Sequence, residues 1–392
     1  MKRVVVGLSG GVDSSVAAYL LLQQGYEVIG MFMRNWHDES VTLSDECPWI
    51  DDSNDALLIA QQLGIPFQVI DLSEEYKARI VDYMFSEYAA GRTPNPDVLC
   101  NREIKFDVFL KAALELGADY VATGHYCRKV VDESGMSHLL AGEDPGKDQS
   151  YFLCQVSQGQ LQKALFPIGD LRKAEVRRIA TEIGLVTADK KDSQGLCFVG
   201  KISLPQFLQQ QLEVKKGKVI EVGNDLPIFV DYASLEPVVD HVEELSKPFN
   251  YHVSDGIVVA EHIGAHYYTI GQRKGLHIGG RPEPSFVIGL DTDSNTVFTG
   301  QTEFHPGLNR WALELQADTM NWINSAVEKE FVDSLECLVR IRYRQPLQAG
   351  KLIKKNNRWF ILFENKQKGI TPGQFAAWYI GEELVGSAVI LS

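Results

Sequence analysis

A glycine-rich stretch follows the first apolar run of this 392-residue chain, and it constrains the fold more than any other feature. Residues 4–6 are all valine and predict a buried strand, and residues 7–15 read Gly-Leu-Ser-Gly-Gly-Val-Asp-Ser-Ser. A helical pattern over residues 14–24 follows directly. Glycines let a backbone approach an anion closely, and the N–H groups at a helix N-terminus then face that anion. The pattern therefore predicts a phosphate-binding loop between a strand and a helix.

The spacing within this loop excludes two common nucleotide motifs. It lacks the Gly-Lys-Ser/Thr of a Walker A loop, and it does not match the dinucleotide pattern G-x-G-x-x-G. It resembles the Ser-Gly-Gly-x-Asp-Ser loop of the PP-loop ATP pyrophosphatases, which cleave ATP between the α and β phosphates and adenylate an oxygen. The resemblance implies a nucleotide site made by Gly7, Leu8, Ser9, Gly10, Gly11, Val12, Asp13 and Ser14.

The net charge of −14 argues against broad binding of nucleic acid, because neutralising phosphates requires Lys and Arg. Basic residues nevertheless cluster locally. Arg340, Arg342 and Arg344 are two residues apart, so a strand over 336–344 would present all three on one face. We therefore expect any nucleic acid to meet a local basic groove.

The cysteines and the lengths of the apolar runs indicate the compartment in which the protein is expected. The six cysteines are scattered and do not form a disulfide framework, so we expect thiols in a reducing compartment. The chain enters a strand at once, without a secretory signal pattern, and no run approaches 18 apolar residues. These features predict a cytoplasmic protein without a membrane span.

The order of predicted elements indicates an α/β fold with a doubly wound parallel sheet, followed by β-rich regions. Strands are expected over residues 3–8, 27–33, 67–70 and 119–123, and helices over 14–24, 54–63, 74–90, 102–116 and 172–183. Short strands over 312–316, 336–344, 359–363, 374–379 and 384–391 favour a closed C-terminal β-barrel. We expect a catalytic domain at 1–203, a small central β-rich domain at 204–302 and the barrel at 303–392.

A proline-bounded segment carries the first candidate nucleophile. Residues 91–101 read Gly-Arg-Thr-Pro-Asn-Pro-Asp-Val-Leu-Cys-Asn, and the two prolines fix an extended loop. Cys100 then falls at the start of the predicted helix over 102–116, where a thiol has a depressed pKa. Asp97 is one turn away and could move a proton. The alternative is that Cys100 is a small apolar filler.

A second cysteine lies in a polar, basic segment. Cys197 follows Lys190 and Lys191 within a stretch that contains Asp192, Ser193 and Gly195. Nearby lysines favour a thiolate. Two cysteines on loops of one nucleotide-binding domain suggest a redox or sulfur-relay pair.

Two further segments contain polar side chains at positions suited to binding. Gly124 and His125 follow the strand over 119–123, at the edge of the sheet where ligands bind. Residues 147–152 form a polar loop that ends in aromatics and suits contact with a nucleotide or RNA. His262 and His266 could face each other on a helix, but no third ligand has zinc spacing, so core or surface histidines are favoured and no metal site is expected.

Taken together, these motifs make the chain similar to the tRNA-specific 2-thiouridylases over nearly its whole length. The matching segments are residues 9–15, 32–36, 91–106, 122–126, 147–153, 192–200, 268–276 and 342–345. Residues 223–263 are longer than the family pattern leads us to expect, and they are acidic. This segment is predicted to be an insertion that does not contact RNA.

The resemblance implies ATP-dependent 2-thiolation of a wobble uridine, with Mg²⁺, on tRNAs for Lys, Glu and Gln. Met33 and Gly124 would also contact the nucleotide. Cys197 would carry a persulfide received from a sulfur-carrier protein or cysteine desulfurase, and Cys100 would act as a nucleophile that forms a transient disulfide with it. Asp97 could serve as acid or base. The implied tRNA contacts are Asn95, Pro96, Asp97, His125, Lys147, Asp148, Gln149, Arg342, Tyr343 and Gln374.

Three other functions share some of these features. Another PP-loop ligase would need the ATP loop but neither thiol, and a thiolase acting at another RNA position would share the loop. A non-catalytic RNA-binding or sulfur-carrier protein would not need an intact ATP loop, so ATP–pyrophosphate exchange separates it from the enzymes. A monomer is expected.

Overall fold

The structure, a computed structural model, describes residues 1–35, 48–191 and 204–392. Within these residues the strands form three sheets, of which the first is entirely parallel with the order β3-β2-β1-β4-β7. Its strands are β1 (Arg3–Gly7), β2 (Glu27–Arg34), β3 (Phe67–Asp71), β4 (Tyr120–Ala122) and β7 (Ala164–Leu165). The predicted α/β fold with a parallel sheet is confirmed.

Helices cover both faces of this sheet. Alternate valines of β1 point to opposite sides, so Val4 and Val6 pack in one apolar cluster and Val5 packs in another. The helices up to β4 are α1 (Val12–Gln23), α2 (Pro48–Leu63), α3 (Ser73–Tyr76), α4 (Asp82–Ala89), α5 (Pro96–Leu99) and α6 (Phe109–Glu115).

Two of the predicted helices differ from regular α-helices. The helix expected over 74–90 contains a π-helical segment, Lys77–Val81, and the helix expected over 102–116 begins at Pro96 and contains a second one, Cys100–Val108. A π-helix makes i→i+5 hydrogen bonds and shifts which side chains share a face. The sequence pattern did not reveal these shifts because both segments keep the apolar residues of an ordinary amphipathic helix.

The central sheet has four strands in the order β10-β11-β8-β9 within the described residues. They are β8 (Gly217–Val222), β9 (Gly256–His262), β10 (Ser285–Asp291) and β11 (Thr296–Gln301). The expected insertion at 223–263 thus supplies an integral strand, β9. His262 ends that strand and His266 lies in a short 3-10 turn, so the two histidines do not share a helix.

The C-terminal sheet closes into a barrel. Its order is β12-β16-β15-β14-β17-β18-β6-β5, and the pairing of Leu315 with Ile390 joins the end of β12 to the end of β18. The strands are β5 (Cys127–Val131), β6 (Ser137–Ala141), β12 (Asn309–Leu315), β13 (Asn321–Trp322), β14 (Ser334–Arg340), β15 (Gln348–Lys355), β16 (Arg358–Lys368), β17 (Phe375–Ile380) and β18 (Glu383–Val389).

The β5–β6 hairpin couples the first domain to the barrel. It lies within residues 1–203, yet Glu383 and Leu384 of β18 pair with Leu140 and Leu139 of β6. The sequence pattern did not predict this hairpin as part of the barrel sheet. The domain limits at 203 and 302 remain predictions.

The remaining helices include two that attach the central region to the barrel. They are α7 (Gln158–Lys163), α8 (Lys173–Glu182), α9 (Leu204–Leu208), α10 (Pro227–Ala233), α11 (Val242–Ser246) and α12 (Ser325–Glu330). Tyr232 and Leu245 pack against Phe360 of the barrel, and Glu243 forms an ion pair with Arg358 at 3.5 Å. The acidic segment therefore packs against the barrel. Among the described helices, none is both long enough and apolar enough to span a membrane.

Candidate nucleotide and thiol site

The glycine-rich loop joins β1 to α1 at the carboxyl edge of the parallel sheet. Gly11 is the N-cap of α1, and because it has no side chain, the first turn of the helix is not capped by its own N-cap residue. Ser9 and Ser14 hydroxyls lie 3.2 Å apart, and the Ser15 hydroxyl donates to the Gly11 carbonyl at 2.8 Å. The loop thus presents backbone N–H groups and the partial positive charge of a helix N-terminus, a combination suited to phosphate.

Two glycines are required by close backbone contacts. Gly10 has φ +70°, and a Cβ there would lie 2.2 Å from the Asp52 carbonyl oxygen. Gly124, just after β4, lies so close to the loop that a Cβ would be 2.7 Å from the Ser14 nitrogen. The strand end that carries Gly124 is therefore in contact with the phosphate-binding loop.

Asp13 of this loop is held by two side chains from elsewhere in the chain. The Lys173 ammonium donates to both carboxylate oxygens of Asp13, at 2.7 and 2.9 Å, and the Tyr126 hydroxyl donates to Oδ1 at 2.7 Å. The Lys173 side chain is 12% exposed and that of Asp13 is 31% exposed. Asp13 is consequently part of a half-buried ion pair and not an isolated surface carboxylate.

Lys190 occupies the other side of the loop. Its ammonium donates to the Gly10 carbonyl at 3.0 Å and to the carboxylates of Asp52 and Asp55 at 2.8 and 2.5 Å. Burial lowers the pKa of Lys190, but the hydrogen bonds to the two carboxylates outweigh it, so the pKa lies above its ordinary value. Lys190 is therefore a fixed positive charge beside the loop.

Met33 lies at the start of the loop. It is half-buried near the end of β2, and its methyl group is 3.5 Å from where a Cβ of Gly7 would be. The residues predicted to hold the nucleotide, from Gly7 to Ser14 with Met33 and Gly124, thus lie around one edge of the sheet.

The loop before Cys100 is fastened to the barrel. The Gln374 amide donates to the carbonyls of Thr93 and Pro94 at 2.9 and 3.1 Å, and its oxygen accepts from Asn95 at 3.3 Å. Asn95 also caps α5 by accepting from the Val98 amide. Gln374 therefore positions the segment that contains Pro96 and Asp97.

Cys100 is fully buried, which corrects one prediction. The helix begins at Pro96, so Cys100 lies past its first turn and not at the N-terminus. Burial raises the pKa of the Cys100 thiol above its ordinary value, although the charge of Lys105 and a hydrogen bond with Tyr76 lower it in part. The expected depression of the pKa is wrong for the protein without substrate.

The π-helical segment relates Cys100 to Lys105 and His125. Lys105 follows Cys100 by five residues, the spacing of a π-helical hydrogen bond, and its charge acts on both Cys100 and His125. His125 is buried, with Nδ1 2.6 Å from the Thr123 hydroxyl. Burial, and secondarily Lys105, holds the pKa of His125 well below 6.5, so its ring is neutral. The ring centroid of Phe106, in the same segment, lies 6.5 Å from that of His125, so the segment with Cys100 packs beside the strand end that carries Gly124.

The polar loop at 147–149 has mixed accessibility. Asp148 is buried, accepts from the Gly142 and Ser150 amides, and pairs with Arg340 at 2.9 Å. Lys147 and Gln149 are half-buried. Asp148 thus has an internal role, whereas its predicted contact with tRNA remains a prediction.

The expected row of three arginines is wrong. β14 ends at Arg340, so Arg340, Arg342 and Arg344 do not share a strand face. Arg342 donates to the carbonyls of Ile270 and Gly369 and to the Thr371 hydroxyl, while Arg344 is exposed. The sequence spacing failed because the chain turns after β14 and directs Arg342 inward.

Neighbouring aromatic side chains connect the turn after β14 to the π-helical segment that begins at Cys100. The rings of Tyr343 and Phe152 lie 4.2 Å apart, and the Phe152 carbonyl accepts from the Asn101 amide at 3.1 Å. Tyr343 is therefore connected to the residue that follows Cys100. Its predicted contact with tRNA is compatible with a half-buried ring at this position.

Cys197 lies in residues 192–203, outside the described residues, so its relation to Cys100 stays a prediction. Three cysteines outside the candidate site, Cys127, Cys154 and Cys337, are also buried. Burial raises the pKa of Cys154 and of Cys337 to about 12. In the described ranges, no cluster of three His, Cys, Asp or Glu side chains could hold a metal ion.

The sequence analysis missed three site residues with a positive charge. Lys190 was noted only as a neighbour of Cys197 and Lys173 was not singled out, because local sequence does not show that both residues lie beside the glycine-rich loop. Lys105 was missed because an α-helical period does not place it on the face of Cys100.

Comparison with family models covers most of the chain. Residues 2–201 match the model described as "tRNA methyl transferase HUP domain". Residues 240–301 match "tRNA methyl transferase PRC-barrel domain", and residues 313–390 match "Aminomethyltransferase beta-barrel domain".

Curated relatives match over their full length. The tRNA-specific 2-thiouridylase MnmA of Christiangramia forsetii is 60% identical over 100% of both chains, and that of Flavobacterium johnsoniae is 59% identical over the same shares. The protein of the same name from Streptococcus uberis is 45% identical over 99% of this chain and 95% of its own. A solved 4-thiouridine synthetase in complex with RNA and ATP gives a TM-score of 0.33 at 19% identity, over 54% of this chain and 50% of that one.

Proposed function

This chain belongs to the tRNA-specific 2-thiouridylase family, and we propose that it uses ATP to convert the wobble uridine of tRNA into 2-thiouridine. One structural observation supports this proposal most. The strand end with Gly124 and His125 contacts the phosphate-binding loop, and the ring centroid of His125 lies 6.5 Å from that of Phe106, in the same π-helical segment as Cys100. A nucleotide site and a candidate nucleophile therefore belong to one connected site.

In the first step the uridine 2-oxygen attacks the α-phosphate of ATP. The new bond joins that oxygen to phosphorus, the bond to the β-phosphate breaks, and its electron pair leaves with pyrophosphate. Backbone N–H groups of the loop and of the first turn of α1 stabilise the developing charge. The 2-oxygen thereby becomes part of a good leaving group, AMP.

Mg²⁺ fits this loop chemically. It prefers one or two carboxylates together with phosphate oxygens, and the Asp13 carboxylate, 31% exposed beside the loop, offers such a ligand. When bound, Mg²⁺ neutralises phosphate charge. Asp13 would hold it, while Tyr126 orients the carboxylate through its hydrogen bond.

In the second step sulfur replaces the adenylated oxygen. The Cys197 thiolate would attack the outer sulfur of a persulfide on a donor protein, so that the donor S–S bond breaks, the donor thiolate leaves and Cys197 becomes a persulfide. The outer sulfur of Cys197 then attacks C2 while the C2–O bond breaks and its electron pair leaves with AMP. Cys100 then attacks the Cys197 sulfur, which releases the thiolated base and leaves a Cys100–Cys197 disulfide. Two equivalents of an external thiol then reduce this disulfide to two cysteine thiols and leave as an external disulfide. Asp97, which is half-buried one turn before Cys100, would accept its proton.

The target base must leave the anticodon stack to reach this site. The loop with Asn95, Pro96 and Asp97 would contact the base, because Gln374 fixes it against the barrel. His125, Lys147, Gln149 and Tyr343 would contribute further contacts. We propose the cytoplasm as the compartment, in line with its reduced thiols.

The test is mass spectrometry of unmodified tRNA after incubation with the protein, ATP, Mg²⁺ and a persulfide donor. Wild-type protein should add one sulfur to the wobble uridine, and Cys100→Ser should add none. Cys337→Ser is the matched control, because Cys337 is also a buried thiol but lies on β14 of the barrel. Sulfur at another nucleotide, or equal activity of both variants, would contradict the proposal.

A further inference from the structure

We propose that Lys173 and Lys190 grip the β- and γ-phosphates of ATP and then stabilise the departing pyrophosphate. The proposal rests on the proposed function and assigns roles to two side chains outside the glycine-rich loop. The Lys173 ammonium is held at Asp13 by hydrogen bonds of 2.7 and 2.9 Å, and the Lys190 ammonium donates to the Gly10 carbonyl of the loop at 3.0 Å and to Asp52 and Asp55 of α2.

The two lysines reach the loop from one segment of the chain. Lys173 is the first residue of α8, and Lys190 follows that helix. They meet the loop at different points, since Lys173 contacts Asp13 and Lys190 contacts the Gly10 carbonyl. Positive charge thus lies beside two points of the segment that would hold the phosphates, Gly10 and Asp13.

The position of Met33 indicates which end of the nucleotide these charges meet. Met33 lies beside Gly7, at the start of the loop, where the family resemblance places the adenine. Lys173 and Lys190 lie at the later residues Asp13 and Gly10. A nucleotide with its adenine beside Met33 would therefore extend its phosphates along the loop, toward Gly10 and Asp13 where the lysines are held.

The carboxylates around the lysines explain how the charges are kept in place without nucleotide. Asp13 neutralises Lys173, and Asp52 and Asp55 neutralise Lys190. Each ammonium has three N–H donors and can exchange a carboxylate contact for a phosphate oxygen. Because the side chain of Lys173 is only 12% exposed, its contact with phosphate oxygens would be weakly screened.

These contacts would act on the adenylation step. As the bond between the α-phosphate and its bridging oxygen breaks, the electron pair moves onto pyrophosphate. Ammonium groups beside the β- and γ-phosphates stabilise that charge as it develops. The lysines would therefore matter for ATP and pyrophosphate but not for AMP.

The experiment measures binding of ATP, pyrophosphate and AMP to the full chain by calorimetry in the presence of Mg²⁺. In Lys173→Met and Lys190→Met, the Kd for ATP and for pyrophosphate should rise about tenfold to a hundredfold, as expected for loss of a charged hydrogen bond. The Kd for AMP should stay within about twofold. Lys173→Arg should restore most of the pyrophosphate affinity, because it keeps the charge.

Lys163→Met is the matched control, since Lys163 is exposed on α7 and should change none of the three affinities. Unchanged pyrophosphate affinity in both methionine variants, or an equal loss for AMP, would overturn the proposal. If Lys173→Met does not fold, Lys190→Met provides the same test. Wild-type protein that binds none of the three ligands would refute the proposed function itself, a result distinct from failure of the lysine variants.

Discussion

At the scale of single residues, burial decides the charge states around Cys100. Its thiol is enclosed, so the folded protein without substrate holds it protonated near neutral pH. The sequence correctly placed a cysteine after a rigid loop, but it could not reveal enclosure, which depends on Tyr76 and other distant side chains.

His125 makes a measurable contribution to stability as a function of pH. Its folded-state pKa is lowered below 6.5, so at lower pH the unfolded chain binds a proton that the folded protein does not. The free energy of unfolding should therefore decrease as the pH is lowered past 6.5. From pH 7.5 to 5.5 this single group accounts for about 1 kcal/mol.

Urea unfolding of wild type and His125→Gln at pH 7.5 and 5.5 tests this expectation. The variant should lose about 1 kcal/mol less than wild type between the two pH values. The other buried histidines remain in both proteins, so their contributions cancel in the comparison. An equal loss of unfolding free energy in the two proteins would show that His125 takes up its proton in the folded state at pH 5.5, against this expectation.

At the scale of elements, the strand–loop–helix unit was predictable because its signals are local. Valines at 4–6 and the glycine pattern after them specify β1, the loop and α1 with limits that differ by two residues at most. The two π-helical segments and the inward turn after β14 were not predictable. Each depends on packing between segments far apart in the sequence.

Gly10 tests whether the loop requires its close contact with α2. Gly10→Ala would place a Cβ 2.2 Å from the Asp52 carbonyl oxygen, so the loop must move and ATP affinity should fall at least tenfold. Gly25→Ala is the matched control, because Gly25 also has a positive φ, +81°, but has nothing within 4 Å of the new Cβ. Both variants bear backbone strain of about 1–2 kcal/mol.

Calorimetric titration with ATP and Mg²⁺ distinguishes the two glycines. Gly25→Ala should bind ATP as wild type does despite its strain. If Gly10→Ala binds equally well, the loop tolerates a side chain and the proposed phosphate cradle is wrong.

The turn after β14 contains two arginines with different environments: Arg342 is hydrogen-bonded inside the protein, and Arg344 is exposed. Arg342→Ala removes hydrogen bonds to two carbonyls and a hydroxyl, so we expect a loss of about 3 kcal/mol in the free energy of unfolding. Arg344→Ala should leave stability unchanged and lower the salt dependence of tRNA binding by about one counterion. Urea unfolding and tRNA binding at several salt concentrations provide both measurements, and an unchanged slope for Arg344→Ala would place the tRNA elsewhere.

At the scale of the whole molecule, the three regions meet at the segment before Cys100. The hydroxyls of Thr93 and of Thr269 in the central region lie 3.1 Å apart. The Gln374 amide of the barrel donates a hydrogen bond to the Thr93 carbonyl. The β5–β6 hairpin extends the barrel sheet from within the first domain. The barrel and the central region therefore position the segment before Cys100, whereas the sequence analysis assigned the barrel only to tRNA contact.

The stoichiometry of one reaction tests the central claim most directly. Protein, unmodified tRNA, Mg²⁺, a persulfide donor and labelled ATP are incubated together, and AMP, pyrophosphate and 2-thiouridine are quantified at the same time points. The account predicts that the three products form in equal amounts, and that all three are lost without ATP. ADP and phosphate as the nucleotide products, or 2-thiouridine formed without AMP, would contradict it.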